Sequence, residues 1–187
     1  MNTKILNILK ETGALLEGHF LLSSGKHSRQ YVQCAQALRF PWHAEQIMKI
    51  ICAKISDLKI DLIVGPAIGG IITSYEMGRQ MNVETIFTER VDNTVTLRRG
   101  FTVKKGSNIL ISEDVVTTGK STLEVKNLVS ELGGNVLGVA CIVDRRSKHE
   151  DLGVPVFSGI QLDIKIYDEK DCPLCQQGSK PVTPGSR

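Results

Sequence analysis

Two adjacent carboxylates, Glu113 and Asp114, follow an apolar run, Ile109-Leu110-Ile111, and precede the segment Thr117-Thr118-Gly119-Lys120-Ser121. A short apolar run of this kind is expected of a strand buried on both faces, ending at the acidic pair. In open α/β sheets ligands gather at the carboxyl ends of strands. Two carboxylates there can accept hydrogen bonds from vicinal sugar hydroxyls or neighbour a hydrated metal. The hydroxyl-rich segment leads into a helical pattern, Val125, Leu128, Val129 and Leu132, with Ser121 and Glu124 spaced as a capping box. Backbone N–H groups in such a loop, beside the positive end of a helix, suit a phosphate monoester. On its own, an acidic pair after a strand also reads as a solvated turn.

A nucleotide P-loop is the rival phosphate motif, and Gly119-Lys120-Ser121 supplies its second half. Its required first glycine falls on Asp114, whose carboxylate would repel a phosphate chain. A second loop, Gly65-Pro66-Ala67-Ile68-Gly69-Gly70, follows the apolar run at Leu62 to Val64. Its small residues let an anion approach backbone N–H groups, although a plain strand-to-helix turn favours glycine too. From Glu89 to Lys105 the chain is polar and basic, with an Arg98-Arg99 pair and Gly100 as a possible hinge. That stretch reads either as a solvated hairpin or as a mobile basic lid that excludes water and neutralises pyrophosphate.

These residues need a scaffold. Apolar runs alternate with helical patterns from about residue 41 to about residue 143, the sequence form of βαβ units and a parallel sheet. Pro41 opens a helix with the stripe Ala44, Ile47, Met48, Ile51 and Ile55. Helices are expected near Thr3 to Thr12 and at Gly69 to Met81, and strands at Leu62 to Val64, Thr85 to Thr88, Asn108 to Ser112 and Val136 to Val143. Gln177 to Arg187, rich in Gly, Pro and Ser, is expected to lack regular structure. Gly18 to Ser28 reads as a β-hairpin with a Ser-Gly-Lys turn.

At 187 residues and a net charge of +3, the chain fits one domain and lacks the strongly basic balance of a protein dominated by nucleic-acid binding. No window approaches the roughly 18 apolar residues of a membrane span, and Asn7, Lys10 and Glu11 break the first helix as a signal peptide, so a cytoplasmic protein is expected. Five cysteines, an odd number, do not suggest a disulfide framework. Cys172 and Cys175 form a Cys-Pro-Leu-Cys pair, open to a structural turn, zinc or redox chemistry. No second pair with suitable spacing to complete four zinc ligands is evident.

The stretch from Asn108 to Thr122 resembles the phosphoribosyl pyrophosphate (PRPP) signature of the type I phosphoribosyltransferases, with Glu113 in place of the more common Asp. The resemblance implies an α/β fold, a parallel sheet flanked by helices with a small amino-terminal hood. It divides the chain into helix and hood (about 1–40), core (about 41–165) and tail (about 166–187). It implies that Glu113, Asp114, Val115, Val116, Thr117, Thr118, Gly119, Lys120 and Ser121 bind PRPP: the acidic pair takes the ribose hydroxyls and the loop the 5-phosphate. The Gly65 to Gly70 loop would hold pyrophosphate, with Ile68-Gly69 standing where a better-known bacterial form has Tyr-Lys. Catalytic work would fall to Glu113, Asp114 and Arg90, the last on a flexible loop that reaches a neighbouring subunit, which implies a homodimer. Mg2+ would be held by PRPP near Glu113 and Asp114, without direct protein ligands.

Gly18 to Ser28 with Tyr31-Val32-Gln33 is similar to the hood of family members that act on orotate, and Thr117 and Arg145 match their base-contacting residues. A guanidinium at a strand's carboxyl end is shaped to take a carboxylate in two parallel hydrogen bonds, and orotate is a pyrimidine carboxylate. The resemblance therefore implies conversion of orotate and PRPP to orotidine 5-phosphate and pyrophosphate, with no nucleic-acid or membrane partner. A purine or uracil acceptor, or an RNA-binding regulator built on the same fold, are the other readings.

Overall fold

The computed structural model describes residues 2–22, 24–146 and 150–184. Helix α1 (Thr3–Glu11) begins at Asn2, whose side-chain oxygen accepts from the Ile5 N–H at 3.3 Å. Strands β1 (Leu15–Leu21) and β2 (His27–Val32) form the expected hairpin; Ser23, in its turn, lies outside the described residues. Helix α2 (Ala35–Leu38) leads to α3 (Pro41–Cys52), with Pro41 where a missing N–H costs nothing. Then come β3 (Leu62–Pro66), α4 (Gly69–Met81), β4 (Glu84–Val91), β5 (Thr94–Leu97), β6 (Asn108–Val116), α5 (Lys120–Glu131), β7 (Asn135–Asp144) and β8 (Val156–Gln161). The chain closes with β9 (Ile166–Tyr167), a short 3-10 turn and α6 (Pro173–Gln176).

Strands β3 to β8 form one sheet in the order β5-β4-β3-β6-β7-β8, parallel except for β5. The crossover through α4 carries the chain from β3 to one side, and the crossover through α5 carries it from β6 to the other. The order therefore reverses between β3 and β6, where such sheets bind ligands. Alternate residues of the central strands enter opposite layers. Ile63, Leu110, Ala140 and Ile142 join the core under α1, α3 and α4, whereas Val64, Ile109, Ile111, Val139 and Cys141 join the core under α5.

Three details depart from the sequence expectations, and a fourth gives one of two open readings its shape. Strand β6 does not stop at Ser112: it pairs with β3 only over residues 109–111 but continues beside β7 to Val116, so the acidic pair lies within the strand. The buried face of α5 is Thr122, Val125 and Val129, while Leu132 at its end is 44% exposed. The hood is not purely amino-terminal, because β9 pairs with β2, and Val182 exchanges backbone hydrogen bonds with the Leu21 N–H and the His19 carbonyl. Finally, the basic stretch after Glu89 contains a hairpin, β4 with β5, turning through Asp92 and Asn93 at positive φ. Residues 185–187 of the tail lie outside the described residues.

Candidate active site

The overhang of β6 beyond β3 sets the acidic pair at the switch point. Glu113 is buried, and its Oε1 accepts from Ser121 Oγ at 2.8 Å. Burial pushes the Glu113 carboxyl up to about 8, against the lowering effect of the Ser121 hydroxyl and with a further push from Asp114. Ser121 is therefore a partner of the acidic pair and not the helix cap. Gly119 occupies the cap position with φ 74°, and Glu124 pairs with Arg90. A side chain at Gly119 would also strike Leu152, so the Thr117 to Ser121 loop keeps its shape through glycine.

Asp114 is half-buried, its Oδ1 accepts from the Val115 N–H at 2.8 Å, and burial raises its carboxyl as well. The β3–α4 loop lies against it. A Cβ added at Gly69 would land on the Asp114 carboxylate, and one at Gly65 would land on the Gly70 carbonyl. The two loops that the sequence offers for anions thus converge on the acidic pair. In the first, the Ala67–Ile68 peptide is cis and the Ala67 N–H donates to the Thr88 carbonyl at 2.9 Å. The opening N–H groups of α4 beyond it have no partners within a helix and point out of its amino end.

Arg145 follows β7 directly, where its N–H donates to the Val116 carbonyl at 2.8 Å. Its guanidinium is partly buried, its Nε has no hydrogen-bond partner, and burial lowers its pKa. The next residue behaves oppositely: Arg146 donates to Asp144 at 3.0 and 2.9 Å. Among the described residues Arg145 has no carboxylate partner. It lines a cleft of about 510 Å³ with Thr117, Thr118, Tyr31, the hood residues Leu21 and Lys26, and Thr183 from the tail. Another cleft, of about 490 Å³, lies at the amino ends of the strands beside Asp61 and Glu84, away from the acidic pair.

A phosphoribosyl transferase domain model matches residues 38–171. The curated orotate phosphoribosyltransferase of Caldanaerobacter subterraneus subsp. tengcongensis is 49% identical over 184 residues, 98% of this chain and 97% of that protein. The chain belongs to the orotate phosphoribosyltransferases of the phosphoribosyl transferase family.

Solved structures agree on the fold. The orotate phosphoribosyltransferase of Aeropyrum pernix superposes with a TM-score of 0.71 at 24% identity, covering 84% of this chain and 93% of that one. The UMP synthase of Leishmania donovani gives 0.73 at 22% identity, covering 86% of this chain and 36% of the longer one. At such identities the likeness speaks for architecture alone.

Within this phosphoribosyltransferase chain, Arg90 does not meet the acidic pair. Its guanidinium is bound to Glu124 of α5 and to the Asn93 carbonyl. Arg99 is held by Glu89 at 2.9 Å and lies over the Phe87 ring, and this contact keeps the Glu89 carboxyl below its usual range. The hairpin is thus tied to itself through Arg99 and Glu89 and to α5 through Arg90 and Glu124. Lys26, Tyr31 and Thr183 were not singled out in the sequence as cleft residues. Tyr31 sits within the hood motif, but Thr183 carries no sequence signal because only the pairing of Val182 with β1 brings it there.

Proposed function

We propose that this chain transfers the ribose 5-phosphate group of PRPP to orotate, giving orotidine 5-phosphate and pyrophosphate in pyrimidine synthesis; its 49%-identical relative, named an orotate phosphoribosyltransferase, supports this reading. The observation that carries the choice of orotate is the partly buried Arg145, whose Nε has no hydrogen-bond partner and which lines the hood cleft. A desolvated guanidinium without a carboxylate of its own is a strong site for one brought by a ligand.

In this reading the orotate carboxylate meets Arg145 and its ring lies between Thr117 and the hood. The ribose hydroxyls meet Glu113 and Asp114, the 5-phosphate takes the Thr117 to Ser121 loop, and the pyrophosphate takes the Gly65 to Gly70 loop. A ring nitrogen of orotate forms a bond to the anomeric carbon as the bond to pyrophosphate breaks. The transition state is oxocarbenium-like, so the site contributes through orientation and charge placement. Orotate's ring nitrogen is already acidic, and no strong general base is needed. Mg2+ fits this site, where pyrophosphate and ribose oxygens would hold it with several waters kept and Glu113 and Asp114 would act on it through water or hydroxyls; when bound it supplies positive charge beside the pyrophosphate.

The working form is a cytoplasmic homodimer. Ile68, just before α4, and Ile72 and Tyr75 on it are 80%, 40% and 66% exposed, an apolar stripe suited to a second copy and continuous with the pyrophosphate loop. Among the described residues no helix is long and apolar enough to cross a membrane. The β4–β5 hairpin, with Arg90 and Arg98, would act as the lid over the partner's site.

Purified protein with Mg2+ and PRPP, offered orotate, uracil, hypoxanthine or adenine in parallel, tests the reading. Orotate loss matched by pyrophosphate, with no turnover of the others, is expected. Turnover of another base in preference would overturn the choice of acceptor.

A further inference from the structure

The hood and the tail meet at four side chains that the transfer reaction does not use. His19 of β1, His27 of β2, Cys172 and Cys175 place one potential ligand atom each within 4.8 Å of all the others. His19 Nε2 lies 2.9 Å from His27 Nδ1 and 3.6 Å from Cys172 Sγ. Cys175 Sγ lies 3.2 Å from His27 Nδ1 and 3.7 Å from His19 Nε2. His19, His27 and Cys172 are buried, and all five cysteines of the chain are free thiols.

We propose that these four residues form a tetrahedral Cys2His2 zinc site that clamps the carboxy-terminal tail onto the hood. Zinc bonds of about 2.3 Å to sulfur and about 2.0–2.1 Å to nitrogen set tetrahedral edges of about 3.3 Å for N–N, 3.6 Å for N–S and 3.8 Å for S–S. The four separations given above lie within a few tenths of an ångström of these edges. Hydrogen bonding alone is a poorer account, because four lone-pair donors converging in a buried space share few protons, whereas one divalent cation satisfies them all. Two thiolates and two neutral imidazoles neutralise it, and binding releases the two thiol protons. The surroundings also fit a metal ligand: His19 Nδ1 lies 3.2 Å from Ser179 Oγ, a hydroxyl able to accept from Nδ1–H in the tautomer that leaves Nε2 free.

The sequence held the signal in two halves. Cys172 and Cys175 are visible as a pair, but the second pair is two histidines eight positions apart, on facing arms of a hairpin about 150 residues away. Only the folded hood brings them to the tail. The clamp is not remote from the cleft, because β1, β2 and the tail supply Leu21, Tyr31 and Thr183 to its wall.

The test is metal analysis of the full chain, purified under reducing conditions without added chelator and then exchanged against cobalt. Expected are one zinc per chain, protection of two thiols from alkylation until a chelator is added, and the intense visible bands of tetrahedral cobalt with thiolate charge transfer. Cys175→Ser and His27→Ala should lose the metal, Cys52→Ser should keep it, and His19→Cys should keep it with stronger charge transfer. The last variant and the wild-type measurements keep the test decisive if the ligand deletions fail to fold. Reduced protein that stays metal-free after incubation with zinc would overturn the site, as would full zinc retention in folded Cys175→Ser and His27→Ala. Because the metal readouts are independent of substrate, they stand or fall separately from the choice of orotate.

Discussion

Ser121 Oγ donates a 2.8 Å hydrogen bond to Glu113 Oε1, joining the Thr117 to Ser121 loop to the acidic pair across the start of α5. The bond does not offset burial, and the Glu113 carboxyl sits near 8. Two consequences follow from its protonation at neutral pH.

The first concerns stability. Since the folded-state value lies above the ordinary 4.5, the contribution of Glu113 to stability is full below about pH 4.5 and is lost as pH rises through about 8. The loss is on the order of a few kcal/mol. Thermal melts of the ligand-free protein should therefore show a fall in Tm across this window that is several degrees smaller in Glu113→Gln. Equal falls in the two proteins would contradict the assignment.

The second concerns binding. Accepting the ribose hydroxyls favours ionised Glu113, so PRPP binding with Mg2+ near pH 7 should release a proton. Calorimetry in buffers of different ionisation enthalpy reads this directly. Wild type should release a proton fraction that Glu113→Gln lacks, and buffer-independent heats in wild type would speak against it.

Gly69 tests the convergence of the two loops. In Gly69→Ala the new methyl occupies the place of the Asp114 carboxylate, so the loop or the carboxylate must move. We expect KM for PRPP to rise at least about tenfold, equivalent to about 1.4 kcal/mol, with a smaller change in KM for orotate. Unchanged KM for PRPP would mean that the loop does not hold the donor.

Much of this arrangement was legible in the chain. Gly69 to Met81 is the helix the sequence predicts, and the run at Ile109 to Ile111 is the buried strand, because apolar periodicity and glycine placement are local signals. What escaped the sequence depends on distant partners. Ser121 reads as a cap until the overhang of β6 brings Glu113 to it. Arg90 and Arg99 read as mobile charge until the fold brings Glu124 of α5 to the first and Glu89 of β4 to the second. Arg145 and Arg146 are alike in the sequence, and only Asp144 distinguishes the paired arginine from the free one.

Tyr75 and Ile72 test the dimer. Tyr75→Asp places a charge in the exposed stripe of α4, and light scattering should then show a monomer where wild type shows a dimer. If the hairpin serves the partner's site, mixing inactive Arg90→Ala and Glu113→Gln proteins should restore part of the activity through hybrid dimers. Absence of any recovery would place the hairpin over its own site.

Arg145 carries the central claim, and the most direct measurement is kcat/KM for orotate in Arg145→Met beside a Tm without ligand. Truncating one partner of a buried charge pair costs about 2–5 kcal/mol, so kcat/KM should fall about 30-fold to several thousand-fold. KM for PRPP should hold, and Tm should rise or stay level because a partly buried charge without a carboxylate partner has been removed. A variant that keeps wild-type kcat/KM for orotate would contradict the account.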